Sequence, residues 1–240
     1  DPRGNEQSDR KKDLHGNKTD RRTMTMQSFL SVQNLNAFYG DFQALFDVSF
    51  SLEVGQTIAI IGSNGAGKST LLHALLGQVS KTTTAATFDG LDLNYAKTPE
   101  IVGHGISLVP EGRHLFKSCT VLENLELGAS AKRSGDWNLS SILELFPELD
   151  QFLDRNSMDI SGGQQQMVAI GRALMANPSL ILFDELSLGL APVVINRIYD
   201  SIPAIKSKGT SLIIVEQDIY RAQEPADYVF CLLEGHIALE

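Results

Sequence analysis

Apolar and polar positions follow two different periods along this chain. Residues 29–50 alternate and contain a Tyr-Gly-Asp turn at 39–41, which predicts antiparallel strands. Continuously apolar runs predict buried strands, and they lie at 57–61, 106–109, 180–183, 212–215 and 228–233. Segments with helical spacing separate these runs. The pattern therefore predicts an α/β fold in which a parallel sheet is flanked by helices.

Helical spacing is clearest between the predicted strands. We predict helices at 69–76, within 90–101, at 120–127, at 140–153 and at 164–176. The last of these should stop at Asn177-Pro178, since proline cannot continue a helix. The helices at 120–127 and 140–153 are expected to form a helical arm that covers about residues 112–160.

A phosphate-binding loop lies between the first buried strand and its helix. Residues 62–69 (Gly-Ser-Asn-Gly-Ala-Gly-Lys-Ser) match the pattern Gly-x4-Gly-Lys-Ser. Its glycines let backbone N–H groups approach phosphate oxygens, and the helix that follows adds positive charge at its start. We expect Lys68 to reach the β- and γ-phosphates and the Ser69 hydroxyl to ligate Mg²⁺. A predicted strand precedes this motif and a predicted helix follows it. This context argues against the alternative that residues 62–69 are a glycine-rich turn that matches the pattern by chance.

Two adjacent carboxylates end the strand at 180–183. Asp184 is positioned to hold Mg²⁺ through water, and Glu185 to orient or deprotonate the attacking water. On its own, an Asp-Glu pair after a strand equally describes a solvated strand end. Its place downstream of a phosphate loop favours a catalytic role.

A second glycine-containing motif, Ser-Gly-Gly-Gln-Gln-Gln, occupies residues 161–166. With the phosphate loop before it and Asp184 after it, the chain from about residue 30 to 240 resembles the ATP-binding subunits of ABC transporters. In that family this motif is a helix start that contacts the γ-phosphate held by the opposite subunit. The alternative is that Ser161 simply caps a helix. The resemblance implies a P-loop NTPase core, a small antiparallel β subdomain and a helical arm.

Three segments resemble the ATPases of branched-chain amino-acid importers most closely: residues 109–116 (Val-Pro-Glu-Gly-Arg-His-Leu-Phe), 187–192 (Ser-Leu-Gly-Leu-Ala-Pro) and 214–217 (Ile-Val-Glu-Gln). Glu111 and Gln217 stand where most ABC proteins have Gln and His, and both resemble this subfamily.

Leu186 replaces the Pro that commonly follows the catalytic Glu, which predicts a looser turn. Tyr39 stands where the family stacks an aromatic on adenine, although an ordinary strand aromatic is the rival interpretation.

The resemblance implies ATP and Mg²⁺ as cofactors and three sets of site residues. The catalytic set is Lys68, Glu185 and Gln217. The metal-binding set is Ser69, Glu111 and Asp184. The nucleotide-binding set is Tyr39, Gly62, Ser63, Asn64, Gly65, Ala66, Gly67, Lys68, Ser69, Thr70, Ser161, Gly162, Gly163 and Gln164.

Charge divides the chain into two parts. Residues 1–23 hold seven basic and five acidic side chains, which leaves 13 basic and 24 acidic in residues 24–240. We expect a disordered polar tail before an ABC ATP-binding domain at 24–240. Residue 240 lies inside what resembles the family's final hairpin, and because family members continue past this point we expect the domain to be truncated at its C-terminus. The acidic domain argues against nucleic-acid binding. Its two cysteines, Cys119 and Cys231, have no metal-like spacing, and reduced thiols are expected.

Partners and location follow from the resemblance. No apolar run approaches the roughly 18 residues of a spanning helix, so a transport role requires separate membrane permease subunits. A second ATPase subunit, identical or not, and indirectly a substrate-binding protein are implied, at the cytoplasmic face of the inner membrane. The favoured function is ATP hydrolysis that energises an importer, with branched-chain amino acids as the implied substrates. The rivals are a soluble, non-transport ABC ATPase and a regulatory module that binds ATP but hydrolyses it weakly.

Overall fold

The computed structural model describes residues 28–239, and the segment 1–23 that we expect to be disordered lies outside them. The strands of the described part are β1 (Leu30–Tyr39), β2 (Phe42–Leu52), β3 (Thr57–Ile61), β4 (Ser80–Thr82), β5 (Ala85–Phe88), β6 (Leu91–Asp92), β7 (Ile106–Val109), β8 (Leu180–Asp184), β9 (Ser211–Glu216), β10 (Tyr228–Leu233) and β11 (His236–Leu239). Its α-helices are α1 (Lys68–Leu75), α2 (Thr98–His104), α3 (Val121–Gly128), α4 (Leu139–Leu145), α5 (Gly162–Leu174), α6 (Pro192–Tyr199), α7 (Ile202–Ser207) and α8 (Ile219–Gln223).

The larger sheet has the order β11-β10-β3-β9-β8-β7, and β10 through β7 pair in parallel. Every residue of β3, β8 and β9 is buried, because helices cover both faces of a parallel sheet. The phosphate loop follows β3, Asp184 ends β8 and Gln217 follows β9. These three strands are neighbours, so their carboxyl ends bring the predicted site residues to one edge.

The smaller sheet is antiparallel, with the order β2-β1-β5-β6 and β4 paired to β1. One apolar core joins it to the parallel sheet through α1, whose Leu71, Leu72 and Leu75 are fully buried. The phosphate loop therefore begins a helix that both sheets hold in place. The predicted antiparallel subdomain and parallel core are both present.

A second apolar core joins α3, α4 and α5 to the other face of the parallel sheet. Thr120 caps α3 through the backbone N–H of Glu123, and Asn138 caps α4 in the same way at Ser141. The single helix predicted at 140–153 is wrong. Helix α4 ends at Leu145, and a 3-10 segment, Pro147–Phe152, follows, because Pro147 lacks an N–H and restricts the residue before it. Within residues 28–239, none of the helices has the length and apolar character needed to cross a bilayer.

Candidate nucleotide site

The phosphate loop has the backbone that its glycines predict. Gly65 and Gly67 have φ values of +80° and +103°, in the left-handed region that glycine tolerates. A Cβ at Gly62 would lie 2.4 Å from the carbonyl oxygen of Leu232, and one at Gly67 would lie 2.7 Å from Leu45 Cδ2. The loop is thus packed against two other strands at points where only hydrogen atoms fit. The turn after β10 also contacts the loop, because the Gly235 N–H donates to the Ala66 carbonyl at 3.0 Å.

Lys68 and Glu185 form an ion pair at the mouth of this loop, with 3.3 Å between Nζ and Oε1 and side chains 4% and 9% exposed. Lys68 Nζ also donates to the carbonyl oxygens of Gly62 and Ser63, at 3.0 and 3.1 Å. Gln217 Nε2 donates to Glu185 Oε2 at 2.8 Å. The three residues of the predicted catalytic set are therefore in direct contact.

Ser69 and Asp184, from the predicted metal set, are also in contact. The Ser69 hydroxyl donates to Asp184 Oδ1 at 2.9 Å. Burial raises the pKa of Asp184, and the neighbouring Glu185 and Glu111 carboxylates act in the same direction, whereas the Ser69 hydrogen bond opposes them. A buried carboxylate that burial destabilises in its charged form is a group that a cation would stabilise. Glu111 lines a cavity of about 400 Å³ together with Ser69 and Asp184.

A larger cavity, about 820 Å³, opens over the loop. The predicted residues on its wall are Tyr39, Asn64, Gly65, Gly67, Lys68, Ser69, Thr70, Glu111, Glu185 and Gln217. The carbonyls of Gly62 and Ser63 accept hydrogen bonds from Lys68 instead, and Ala66 is a buried residue of the loop. Tyr39 is half exposed, and its hydroxyl lies 3.4 Å from Thr70 Oγ1.

Several further residues on this wall were not predicted from the sequence. Phe42, Phe46, Glu234 and His236 line the cavity, and the rings of Phe46 and His236 stack with centroids 4.8 Å apart. Phe42 and Phe46 lie in β2, Glu234 lies in the turn between β10 and β11, and His236 begins β11. The Glu-Gly pair at 234–235 signals a turn, but nothing in its local pattern indicates that the turn packs against the phosphate loop.

Residues 161–164 line neither of these two cavities. Ser161 caps α5, since its Oγ accepts from the Gln164 N–H at 3.3 Å and its N–H donates to Gln164 Oε1 at 2.9 Å. The capping alternative is thus present in the structure. A Cβ at Gly163 would lie 2.7 Å from Val194 Cγ1.

The turn after Glu185 is firmly held, contrary to the looser turn that Leu186 predicts. Glu185 has a φ of +51°, which is rare for a residue with a side chain. Its N–H donates to the Val215 carbonyl at 3.0 Å, and Leu186 is 1% exposed within the second core. Packing of the leucine supplies the restraint that a proline ring would give.

The family model described as "ABC transporter" matches residues 45–187, more than half of the chain. This chain belongs to the ABC transporter family. The high-affinity branched-chain amino acid transport ATP-binding protein BraG of Pseudomonas aeruginosa is 40% identical over 88% of this chain and 91% of its own length. A probable branched-chain relative, LivG of Methanocaldococcus jannaschii, is 32% identical over 88% of each chain. The arginine transport protein ArtP of Haemophilus influenzae is 35% identical over 87% of this chain and 90% of its own.

Solved ABC cassettes share this fold. A nucleotide-free ATP-binding cassette from an ABC transporter superposes with a TM-score of 0.77 at 30% identity, over 89% of this chain and 90% of its own. A dimeric cassette in a post-hydrolysis state, bound to ADP and Pi, superposes with a TM-score of 0.77 at 25% identity, over 88% of this chain and 97% of its own. The predicted ABC ATPase fold is confirmed.

Proposed function

We propose that this chain is the ATP-hydrolysing subunit of an importer for branched-chain amino acids. The observation that carries the proposal is the contact of Lys68, Glu185 and Gln217 beside the phosphate loop, next to the Ser69–Asp184 pair. ABC family membership supports ATP hydrolysis as the reaction. The cavity of about 820 Å³ lies in the size range of ligand pockets.

The chain's own residues support each part of the reaction. Backbone N–H groups of the loop and the start of α1 bind the phosphates, and Lys68 neutralises charge on the β- and γ-phosphates. Glu185 orients the attacking water and accepts its proton, at a side chain almost excluded from solvent. Gln217 donates a hydrogen bond to the γ-phosphate, a role that its amide permits but in which it cannot carry a proton. Tyr39 contacts the adenine.

Mg²⁺ fits the residues on this edge of the sheet. The Ser69 hydroxyl, the Asp184 carboxylate and the nearby Glu111 carboxylate are oxygen donors, which this ion prefers. No three His, Cys, Asp or Glu side chains in residues 28–239 are grouped to chelate a metal alone. That is the pattern expected where phosphate oxygens and water complete the ligand set. When bound, the ion would supply charge neutralisation of the phosphates.

A second ATPase subunit completes the site in this proposal. Residues 161–164 line neither cavity beside the chain's own loop, and Ser161, Gly162 and Gly163 would instead contact a γ-phosphate bound by a partner. The dimeric relative with ADP and Pi supports such an arrangement. Residues 187–192 would lie between the two subunits.

The substrate and location are proposed from the relatives. Two of the three similar proteins described above are named for branched-chain amino-acid transport and the third for arginine transport. We propose a peripheral position on the cytoplasmic face of the inner membrane, with permease subunits that form the channel and a binding protein that delivers the amino acid.

The test is uptake of labelled leucine by cells that make this chain, before and after replacement of Lys68 by Ala. Leucine uptake should be lost and arginine uptake should be unchanged. Unchanged leucine uptake together with loss of arginine uptake would contradict the branched-chain assignment.

A further inference from the structure

Three donors converge on one buried carboxylate behind the candidate site. Glu216 ends β9 and is 1% exposed. Its Oε1 accepts hydrogen bonds from the Ser187 N–H at 3.1 Å and the Tyr199 hydroxyl at 3.0 Å, and its Oε2 accepts from the Ser187 hydroxyl at 2.8 Å. A buried carboxylate is strongly unfavourable without such partners. Burial still raises the pKa of Glu216, although the hydrogen bonds from Ser187 and Tyr199 oppose the shift.

These contacts join the two segments that carry the proposed catalytic groups. Asp184 is in register with Val215, the Glu185 N–H donates to the Val215 carbonyl, and Glu185 Oε2 accepts from Gln217. The hydrogen bonds between Ser187 and Glu216 are a further contact between the segment after β8 and the end of β9. Hydrogen bonds therefore restrain the bend at Glu185, which has a φ of +51°, at two points. The Glu185 N–H bonds to Val215, and Ser187, two residues later, bonds to Glu216.

We infer that Glu216 is a positioning residue for ATP hydrolysis. Together with Ser187 and Tyr199, it fixes the bend that presents Glu185 to the attacking water and the backbone from which Gln217 extends. Glu216 does not line the cavity over the phosphate loop, so it acts through these neighbours and not by contact with the nucleotide. The inference rests on the proposed function, in which Glu185 handles the water.

Tyr199 connects this carboxylate to a third element, because it is the last residue of α6. Burial beside Glu216 raises the pKa of Tyr199, so its hydroxyl stays protonated and remains a donor across the physiological range. An apolar side chain at position 216 would fill the same space without directed contacts. The Glu216 carboxyl group instead orients three segments relative to one another through its hydrogen bonds.

The variants Glu216→Ala and Glu216→Gln separate positioning from packing. Alanine removes all three bonds. Glutamine keeps an acceptor oxygen for the Ser187 N–H and Tyr199, and its amide donates to the Ser187 hydroxyl, which also accepts. In the full chain, we expect Glu216→Ala to lower kcat about tenfold or more while the Kd for ATP changes by less than about twofold, since the residue acts on the chemical step. Glu216→Gln should stay within about threefold of wild type in kcat.

Thr210→Val is the matched control. Thr210 lies just before β9, is 1% exposed and donates to the Pro178 carbonyl at 3.2 Å, so the variant removes a buried hydrogen bond at the opposite end of the strand. The melting temperature of Thr210→Val should be lower than that of wild type, whereas its kcat should be unchanged. Tyr199→Phe removes a single donor to Glu216 and should lower kcat with ATP affinity retained, even if Glu216→Ala folds poorly.

The inference is overturned if Tyr199→Phe and Glu216→Ala keep the wild-type kcat, or if kcat falls in Thr210→Val in proportion to lost stability. A wild-type chain that binds ATP without hydrolysing it would instead overturn the proposed function, and the inference with it. Because wild type and variants are assayed side by side, the two failures are distinguished.

Discussion

The Lys68 ammonium group has three oxygen partners in the structure: the carbonyls of Gly62 and Ser63 and the Glu185 carboxylate. The carbonyls orient the side chain, whereas the carboxylate competes with phosphate for the same positive charge. Among residues 28–239, Lys68 is the one lysine or arginine on the wall of the larger cavity. Its charge-assisted bonds to phosphate are therefore the strongest side-chain contribution that the loop can make.

Lys68→Ala should abolish tight MgATP binding, because the phosphates lose this cation. Titration calorimetry of wild type, Lys68→Ala and the control Lys132→Ala, which removes an equal but exposed charge, measures the effect. Wild type and Lys132→Ala should bind alike. Equal affinities for wild type and Lys68→Ala would place nucleotide binding elsewhere.

Sequence was sufficient to locate the residues whose chemistry depends on local backbone. Ser69, Lys68 and Asp184 follow from a strand–loop–helix motif and from a strand end, which are contiguous signals. Glu234, His236 and Tyr199 could not be located in this way, because their roles arise from contacts between segments far apart in the chain. Gly235, for example, bonds to Ala66 across 169 residues.

Among the elements, the buried strands were the most predictable, because β3, β7, β8, β9 and β10 are short apolar runs covered on both faces. The pairing of β4, β5 and β6 with the first hairpin carries no such signal, since these strands have two to four residues. The error at 140–153 arose because apolar spacing continues across Pro147, whereas the helix cannot.

Strand β4 provides a test of how the smaller sheet packs on α1. Burial lowers the pKa of Lys81 to about 8, although the Asp92 carboxylate opposes the shift, and Lys81 Nζ donates to the Ala74 carbonyl at 2.7 Å near the end of α1. Between this value and the ordinary 10.5, the unfolded chain binds more protons than the folded one. The Lys81 contribution to the free energy of unfolding should therefore rise with pH across that window.

Lys81→Met should remove this rise. Urea denaturation of wild type and Lys81→Met at several pH values between about 7 and 10 gives the difference in their free energies of unfolding. The difference should shift in favour of wild type as the pH increases. A difference that stays constant with pH would show that Lys81 is solvated in the folded protein.

At the scale of the whole molecule, residues 161–164 line neither cavity beside the chain's own phosphate loop, and the proposed second subunit would place its nucleotide against them. Ser161→Arg should leave ATP affinity of the isolated chain unchanged and abolish hydrolysis, because the substituted position would contact the partner's nucleotide. Calorimetry and phosphate release measure the two properties. Weaker ATP binding by the isolated variant would contradict the proposed geometry between subunits.

Mixing Ser161→Arg with Lys68→Ala extends this test. Each mixed dimer would have one site with both defects and one with neither, so it has at most one working site of two. Any hydrolysis recovered by the mixture must come from that site. Gln164→Ala is a milder variant that weakens the cap of α5 without adding bulk, and it should reduce hydrolysis less than Ser161→Arg.

In the proposed function, Glu185 handles the attacking water of an ATP-hydrolysing site. Phosphate release from bound ATP, measured in wild type, Glu185→Gln and Glu111→Gln, tests this role. Loss of a general base costs about 10²–10⁴-fold in rate, so Glu185→Gln should be slower by that factor. It should still bind ATP, since the substitution removes the carboxylate that competes for Lys68, and it should accumulate an ATP-bound dimer. Glu111→Gln should be far milder. A Glu185→Gln chain that hydrolyses ATP near the wild-type rate, while Glu111→Gln is inactive, would contradict the account and exchange the two roles.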